Sequence, residues 1–262
     1  MPRQLPTSVG VGDIIYNFGE NMKSALVHWA TPRTQTKGLR MSNVGKPSRQ
    51  LWYDINNSNH VQKHSASTQI KFLYGHILEE LLLMLVRLSG HTVTDEQKEV
   101  VVEGITGHMD CKIDGEVVDV KTASNFAFKK FKEETLRDDD PFGYLAQLTG
   151  YEEAEKTNAG GFLAINKETG EIALYRPDEL DKPNIRYTIS KAKKVMDSDT
   201  PPEEICYPPV PEGKSGNMKL PKQCGFCSHK HKCYPDLRTF KYSKGLTYLV
   251  KVVNEPKVEE VL

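Results

Sequence analysis

The stretch GHMDCKIDGEVVDVKTAS, residues 107–124, decides how the centre of the chain is expected to fold. Its Asp114-Gly115 pair lies between two runs of strand-forming residues, a pattern typical of a β-hairpin closed by a type I′ turn. When these two residues form the loop, Asp110 lies opposite Asp119. The sequence therefore predicts a hairpin that sets two carboxylates about 5 Å apart on one face.

The alternation of side chains along this hairpin separates an apolar face from a charged one. Because strand side chains alternate with period two, Lys121 shares the face of Asp110 and Asp119. The apolar residues expected on the other face are Met109, Cys111, Ile113, Val118 and Val120. Opposed like charges are destabilising, and hard oxygen ligands suit Mg²⁺ or Mn²⁺. We therefore expect one or two divalent cations here, and expect that removing one carboxylate stabilises the metal-free chain.

The composition is that of a soluble globular protein, with 262 residues, 38% hydrophobic and 27% charged. The N-terminus MPRQLPTSVG lacks the apolar core of a secretory signal, and the longest apolar run, 81–86, is too short to span a bilayer. The five cysteines are an odd number, and three of them are clustered. These features predict a cytoplasmic protein, in a host cytoplasm if a phage encodes it, whose cysteines bind metal rather than form disulfides.

The net charge of zero conceals a segregation of charge along the chain. Residues 1–64 carry a net charge of +5, residues 65–212 carry −11, and residues 213–251 carry +8. An acidic centre between basic flanks fits a metal site bordered by surfaces that attract a polyanion. DNA is therefore an expected partner, and a membrane is not.

The order of predicted elements indicates one α/β core with additions at both ends. The expected elements are a buried helix over about 67–89, strands near 98–103, 107–113 and 116–122, a helix over about 141–156, strands at 162–166 and 171–176, and a helix over about 184–197. We expect a basic N-terminal region (1–66) packed on the core, the core itself (67–199), and a Cys-rich metal-binding segment (200–262). Together they are expected to form a single compact domain.

Two further groups of residues are placed to join the paired carboxylates. Gly75 lies within the predicted buried helix, where glycine costs about 1 kcal/mol relative to alanine, so we expect another element to approach closely there. Glu79 follows one turn later and is expected to face the metal, with His76 beside it. Gln147 and Tyr151 share one face of the helix over about 141–156.

Taken in order, these residues resemble the PD-(D/E)XK nuclease superfamily, specifically its RecB-like exonuclease branch. The matching motifs are G-x-x-x-E (Gly75, Glu79), G-x-x-D (Gly107, Asp110), D-x-K (Asp119, Lys121) and Q-x-x-x-Y (Gln147, Tyr151). The resemblance covers about residues 70–155. It implies a restriction-endonuclease-like core with a mixed sheet flanked by helices. Glutamate at position 79 resembles the phage λ-exonuclease type, whereas many RecB-like members have histidine there, which leaves His76 as the alternative to Glu79.

The resemblance implies a metal-dependent deoxyribonuclease, an exonuclease of phage DNA replication, recombination or degradation. Glu79, Asp110, Asp119 and the carbonyl of Val120 would hold Mg²⁺ or Mn²⁺, which activates water and neutralises charge on the scissile phosphate. Lys121 would orient or activate the attacking water, and Gln147 and Tyr151 would steady Lys121 and the DNA backbone. The resemblance also implies DNA ends or single strands as the substrate, and replication or recombination proteins as further partners.

A second signature is Cys224-x-x-Cys227-x5-Cys233. It resembles the three C-terminal cysteines of RecB-like nucleases that carry an iron–sulfur cluster. Those families have a fourth, upstream cysteine, and Ser48 stands at the matching position here. Cys206 is one candidate for the fourth thiolate, and His229 or His231 could instead complete a zinc site. The spacing favours a [4Fe–4S] cluster narrowly over Zn²⁺.

Two other functions compete with the exonuclease. One is a structure-specific or restriction-type endonuclease, and the other is a catalytically inactive DNA-binding protein of the same fold. The presence of Asp110, Asp119 and Lys121 together argues against the inactive protein, because a chain without catalysis has no need of opposed carboxylates.

Overall fold

The structure is a computed structural model that describes residues 20–22, 24–25, 38–56 and 66–261. The predicted basic region 1–66 therefore lies largely outside the described residues, and the three segment boundaries stay predictions. Within the described residues, the chain builds a mixed five-stranded sheet flanked by helices.

The helices and strands follow the predicted order, with additional elements between them. The helices are α1 (Ser48–Asn56), α2 (Ala66–Leu88), α3 (Asn125–Lys132), α4 (Tyr144–Glu155), α5 (Ile185–Met196), α6 (Lys222–Gly225) and α7 (Lys230–Cys233). The strands are β1 (Val93–Thr94), β2 (Lys98–Val102), β3 (Ile105–Met109), β4 (Cys111–Ile113), β5 (Glu116–Ala123), β6 (Gly161–Asn166), β7 (Ile172–Tyr175), β8 (Val210–Pro211), β9 (Met218–Lys219), β10 (Arg238–Tyr242) and β11 (Gly245–Lys251).

The central sheet has the strand order β1-β4-β5-β6-β7. Its middle pair, β5 and β6, is parallel, and the remaining pairs are antiparallel. One apolar cluster joins α2 to one face of the sheet, while a larger cluster includes residues of α1, α3, α4 and α5. This arrangement confirms the predicted fold class, a mixed sheet covered by helices on both faces.

The hairpin forms as the sequence predicts. Asp114 and Gly115 have φ angles of 50° and 88°, the two positive values that a type I′ turn requires. Cys111 pairs with Val118 in the antiparallel ladder of β4 and β5. Asp110 lies one residue before β4 and is not part of the ladder. The turn therefore fixes the register that brings Asp110 next to β5.

The expected position of Met109 is wrong. Met109 belongs to the larger cluster with α4, whereas Cys111, Val118 and Val120 belong to the cluster under α2. The reason is that the chain is not one continuous strand over 107–113, because β3 ends at Met109 and pairs with β2 in a separate two-stranded sheet. The alternation of side chains along β4 therefore does not continue through Asp110 to Met109.

The expectation that α2 is a buried helix is also wrong. Leu82 and Leu83 are buried against the sheet, but a row of apolar side chains on the helix is exposed, and this row includes Tyr74, Ile77, Leu81, Met84 and Leu88. No described atom lies within 4 Å of a Cβ added at Gly75, so the close approach predicted there is absent from the described structure. Leucine content alone does not distinguish a helix buried all round from one that packs along a single side.

The C-terminal part of the chain contains a sheet that the sequence analysis missed. Strands β8 to β11 form a four-stranded antiparallel sheet of order β10-β11-β9-β8, anchored by the buried side chains of Phe240 and Leu249. The signal was present, since two runs rich in strand-forming residues, 238–242 and 246–250, flank a Ser-Lys-Gly turn. None of the described helices is long and apolar enough to cross a membrane.

Candidate active site

Asp119 is a fully buried carboxylate at the centre of the sheet. Its side chain is 0% exposed, and its Oδ2 lies 2.5 Å from Nζ of Lys121, two residues along β5. Neither carboxylate oxygen accepts a hydrogen bond of ordinary geometry from a described group, and Oδ1 lacks even this ion pair. A buried carboxylate that a lysine compensates only in part has capacity for another cation.

Asp110 lies beside Asp119 and is held by the backbone of β5. Its Oδ2 accepts a hydrogen bond of 2.7 Å from the backbone N–H of Val120. Burial and the charge of Asp119 raise the pKa of Asp110 to about 7. Burial likewise raises the pKa of Asp119, against the opposing effect of Lys121. The charge of Asp119 therefore disfavours the charged form of Asp110, in addition to the effect of burial.

Lys121 is held by a chain of contacts that reaches across to α4. Its Nζ lies 3.4 Å from Oε1 of Gln147, the Nε2 of Gln147 donates to the Tyr151 hydroxyl at 2.9 Å, and that hydroxyl donates to the carbonyl of His108 at 2.7 Å. Nζ also lies 4.5 Å from the ring centroid of Tyr144. Of the two residues predicted on one helix face, Gln147 thus contacts Lys121 and Tyr151 holds Gln147.

The motif glycine Gly107 allows this chain of contacts to form. A Cβ added at Gly107 would lie 2.5 Å from Cβ of Met41 and 2.8 Å from Cε1 of Tyr151, both shorter than real contacts. Met41 is fully buried and also fills the space beside Gly150 on α4. Glycine at position 107 is therefore needed so that β3 can approach the tyrosine that orients Gln147.

Glu79 and His76 lie at the edge of this arrangement. Oε1 of Glu79 accepts a hydrogen bond of 2.8 Å from Nε2 of Gln97, and burial raises the pKa of Glu79, with a smaller contribution from the charge of Asp119. His76 is exposed, and its charge acts on Glu79 in the opposite direction. Glu79 is thus within electrostatic range of the carboxylate pair but is held by Gln97.

The residues present fit a divalent cation, although not as a finished ligand set. In the part of the chain that the structure describes, no three His, Cys, Asp or Glu side chains are arranged to hold a metal ion as they stand. The fit rests instead on the unpartnered Oδ1 of buried Asp119 and on the neighbouring carboxyl of Asp110, whose ionisation burial suppresses. Both are hard oxygen donors of the kind that Mg²⁺ and Mn²⁺ prefer.

Because Asp119 is paired with Lys121, only removal of the charge of Asp110 is expected to stabilise the metal-free chain. Removal of Asp119 would leave Lys121 buried without its partner, whereas removal of the charge of Asp110 leaves that pair intact. We expect Asp110→Asn to unfold at a higher temperature than the wild type in EDTA at pH 8. The pKa of Asp110 is about 7 in the folded chain and about 4 in an unfolded one. The free energy of unfolding of the wild type therefore falls as pH rises from about 4 to about 7, because over that range the unfolded chain releases the proton that the folded chain still holds.

The gain should be at most about 4 kcal/mol at pH 8 and should shrink towards zero near pH 4. Thermal unfolding at several pH values measures it, and Asp138→Asn, an exposed carboxylate with 67% side-chain exposure, is the matched control. An equal gain at pH 4 and pH 8 would show that the charge of Asp110 is not its source.

A second group of residues surrounds the cysteines near the C-terminus. The four free thiols of Cys206, Cys224, Cys227 and Cys233 line one cavity of about 30 Å³. Burial raises the pKa of Cys224 to about 11, and the neighbouring thiols add to this shift. Cys111 lies apart from them, buried under α2. The cavity therefore collects the motif cysteines with Cys206, and a cation would relieve the cost of ionising them.

Cys206 lines this cavity and lies against the first residues of α1. Burial raises its pKa, while hydrogen bonds from the backbone N–H groups of Gln50 and Arg49 oppose that shift. These two residues directly follow Ser48, which is the position where the resemblance places an upstream cysteine. Cys206 thus occupies the neighbourhood of the expected upstream ligand, although it lies more than 150 residues later in the chain.

The two histidines near the cysteines have different surroundings. His229 lines the cavity, but its Nε2 lies 2.7 Å from Oδ1 of Asp54 and its ring stacks on Tyr53. His231 is exposed, packs edge-on against Tyr248, and does not line the cavity. Asp54 was not identified from the sequence, because nothing local to α1 indicates a partner 175 positions away.

No protein-family model matches the chain, and no curated protein matches its sequence. Similar solved structures include SSO0001, with 15% identity over 71% of this chain and 89% of that chain and a TM-score of 0.41. An alkaline exonuclease from Laribacter hongkongensis matches at 13% identity over 48% and 66%, with a TM-score of 0.37. A phage-related exonuclease from Haemophilus somnus 129PT matches at 15% identity over 63% and 95%, with a TM-score of 0.36. Likeness this remote carries no inference about chemistry, which must come from the residues of the site.

Proposed function

We propose that the chain is a DNA exonuclease that requires Mg²⁺ or Mn²⁺ and acts in phage DNA replication, recombination or degradation. The observation that carries the proposal is the buried pair of Asp110 and Asp119 with Lys121 beside it, since Asp119 keeps an unpartnered oxygen and Asp110 a pKa of about 7. A fold without a cation would gain nothing from burying two adjacent carboxyl groups. The order of motifs along the sequence supports the same reaction.

Asp110 and Asp119 would hold the cation, with the carbonyl of Val120 and Glu79 as further oxygen donors. When bound, the cation would supply positive charge that offsets both carboxylates and the charge that builds on the scissile phosphate. To bind the cation, Glu79 would have to give up the hydrogen bond that it accepts from Gln97. His76 is the less favoured ligand, because it is exposed.

Lys121 would act as a protonated donor. Burial alone lowers the pKa of Lys121, but the charges of Asp119 and Asp110 outweigh burial and hold the pKa above its ordinary value. A lysine that keeps its proton cannot serve as a general base, but it can orient a water and stabilise negative charge on the phosphate. Gln147, fixed by Tyr151, would hold the ammonium group in place.

We further propose a second, structural metal centre on Cys206, Cys224, Cys227 and Cys233, with a [4Fe–4S] cluster favoured over Zn²⁺. The shared cavity supports four thiolates, and the engagement of His229 with Asp54 disfavours a histidine ligand. Soft thiolates and hard carboxylates select different metals, so the two centres should not exchange their ions.

The reaction is tested with linear DNA, single- and double-stranded, labelled at one end, and with closed circular DNA, each incubated with Mg²⁺, Mn²⁺ or EDTA. We expect metal-dependent shortening of linear DNA from an end and no cleavage of closed circles. Cleavage of closed circular DNA would replace the exonuclease by an endonuclease. Binding of DNA without hydrolysis under any condition would leave the inactive DNA-binding protein.

DNA affinity should fall steeply with salt, because phosphate contacts release counterions in proportion to their number. Lys241→Glu combined with Lys244→Glu, two exposed positions in the basic C-terminal part, should weaken binding at low salt and flatten the log–log slope by about two. Lys191→Glu with Lys194→Glu, exposed on α5, is the matched control. Fluorescence anisotropy measures the slope, and a slope unchanged by the first pair would remove these lysines from the DNA contact.

A further inference from the structure

An exposed aromatic ring stands directly next to the proposed active site. Phe142 is 51% exposed, and its ring stacks on Tyr144 with centroids 5.3 Å apart and planes 24° from parallel. The Tyr144 ring in turn lies 4.5 Å from Nζ of Lys121. Two stacked rings therefore extend from Lys121, and the outer ring, that of Phe142, is half exposed.

The backbone around Phe142 is held firmly for a surface loop. Both carboxylate oxygens of Asp140 accept hydrogen bonds of 2.9 Å from backbone N–H groups at the start of α4. Gly143 has a φ of 74°, and a Cβ added there would lie 2.4 Å from the backbone of Gly45. A half-exposed apolar ring on a fixed backbone is pre-organised to receive a ligand.

A second exposed ring with two lysines lies across the same loop. Phe126 is 54% exposed, with Nζ of Lys222 at 3.5 Å and Nζ of Lys130 at 5.6 Å from its centroid. Asp139 ties this group to the loop, because it accepts hydrogen bonds from Lys130 and from Gln223, next to Lys222. Aromatic rings interleaved with lysines are typical of surfaces that bind single-stranded nucleic acid.

We propose that Phe142 is a stacking subsite for an unpaired nucleobase of the DNA strand being cleaved. This inference rests on the proposed nuclease function and adds that the preferred substrate is a single strand or a frayed end. From Lys121 Nζ to the Phe142 ring is at most about 10 Å, which about three stacked nucleotides span at about 3.4 Å each. The lysines at Phe126 would neutralise phosphates of the same strand.

A paired base inside a duplex has both faces covered, so it cannot stack on a protein ring without unpairing. The base at Phe142 would lie about three nucleotides from the scissile phosphate, so in a blunt duplex it would be an internal base with both faces covered. Phe142 therefore favours single strands over blunt duplex ends, and it does so without base preference, since every base has a π-face. Phe142 is a positioning residue rather than a catalytic one, because it would touch a base and not the reacting phosphate.

The test is the affinity of a labelled single-stranded oligonucleotide of about 12 nucleotides, measured in EDTA so that no hydrolysis occurs. We expect Phe142→Ala to weaken binding by about 5- to 150-fold and Phe142→Trp to preserve it. Tyr187→Ala removes another exposed aromatic ring, on α5, and should leave binding unchanged. Blunt duplex should be insensitive to all three substitutions.

Abasic scanning separates stacking from a change in shape. One abasic site is moved along the oligonucleotide. At one position the abasic site should weaken binding by the wild type but should not further weaken binding by Phe142→Ala, the non-additivity expected of direct partners. Equal losses at every position, an unchanged affinity of Phe142→Ala, or an equal loss for blunt duplex would overturn the subsite. Wild-type hydrolysis of linear DNA with Mg²⁺ is scored separately, so its absence would contradict the nuclease and not the stacking.

Discussion

Asp119→Asn should lower the rate of DNA hydrolysis by at least about 10²- to 10³-fold while the fold survives. The substitution keeps the volume of a side chain that is 0% exposed, but it removes the carboxylate that pairs with Lys121 and would hold the cation. The loss should appear in kcat with Mg²⁺ and with Mn²⁺ alike.

Lys121→Met provides an independent check of the same site. It keeps most of the buried aliphatic volume but removes the ammonium group that Asp119 and Gln147 contact. We expect a loss of similar size in kcat, with single-stranded DNA affinity in EDTA changed much less. Near wild-type hydrolysis by either variant would place the active site elsewhere, and Asp138→Asn controls for carboxylate removal in general.

The second large effect is expected at the cysteines. Cys206→Ser should reduce the metal retained per chain by at least about tenfold, because the loss of a direct ligand should cost no less than the loss of a supporting contact. The segment around α6 and α7 should then become sensitive to proteolysis, since metal binding and folding are coupled in small thiolate sites. Cys111→Ala, a buried thiol outside the cavity, should keep full metal content.

The position of Cys206 allows a compensating change. Its thiol accepts hydrogen bonds from the backbone of Arg49 and Gln50. A thiol introduced at Ser48, directly before Arg49, would therefore lie in the same neighbourhood. Cys206→Ser combined with Ser48→Cys should therefore recover metal that Cys206→Ser alone loses. Elemental analysis and absorbance near 400 nm after anaerobic purification distinguish an iron–sulfur cluster from zinc. Full metal content in Cys206→Ser would contradict the four-thiolate set.

The features that the sequence predicted well are local. Asp114-Gly115 specified the turn, and the turn specified the register that brings Asp110 beside Asp119. The spacing of four placed Gln147 and Tyr151 on one helix face, and in the structure Gln147 contacts Lys121 while Tyr151 holds Gln147. In each case fewer than a dozen residues determine the geometry within an element, so short-range rules are sufficient.

The features that the sequence did not predict depend on distant partners or on a break in periodicity. Met109 was assigned to the wrong face because the alternation does not continue through Asp110, where β3 leaves the central sheet. Cys206 at the start of α1 and Asp54 against His229 are contacts over more than 150 residues. Helix α3, by contrast, had a local signal that was missed, since Phe128 and Phe131 repeat at helical spacing and are buried.

The binding of the cation between Asp110 and Asp119 is tested most directly by anomalous diffraction from crystals of the protein soaked with Mn²⁺. We expect a manganese peak within about 2.2 Å of a carboxylate oxygen of each residue, the distance typical of such oxygen ligands. Crystals of Asp119→Asn should lack that peak under the same conditions. Full occupancy of both carboxylates by protein partners alone, with no manganese peak between them in the wild type, would contradict the proposed active site.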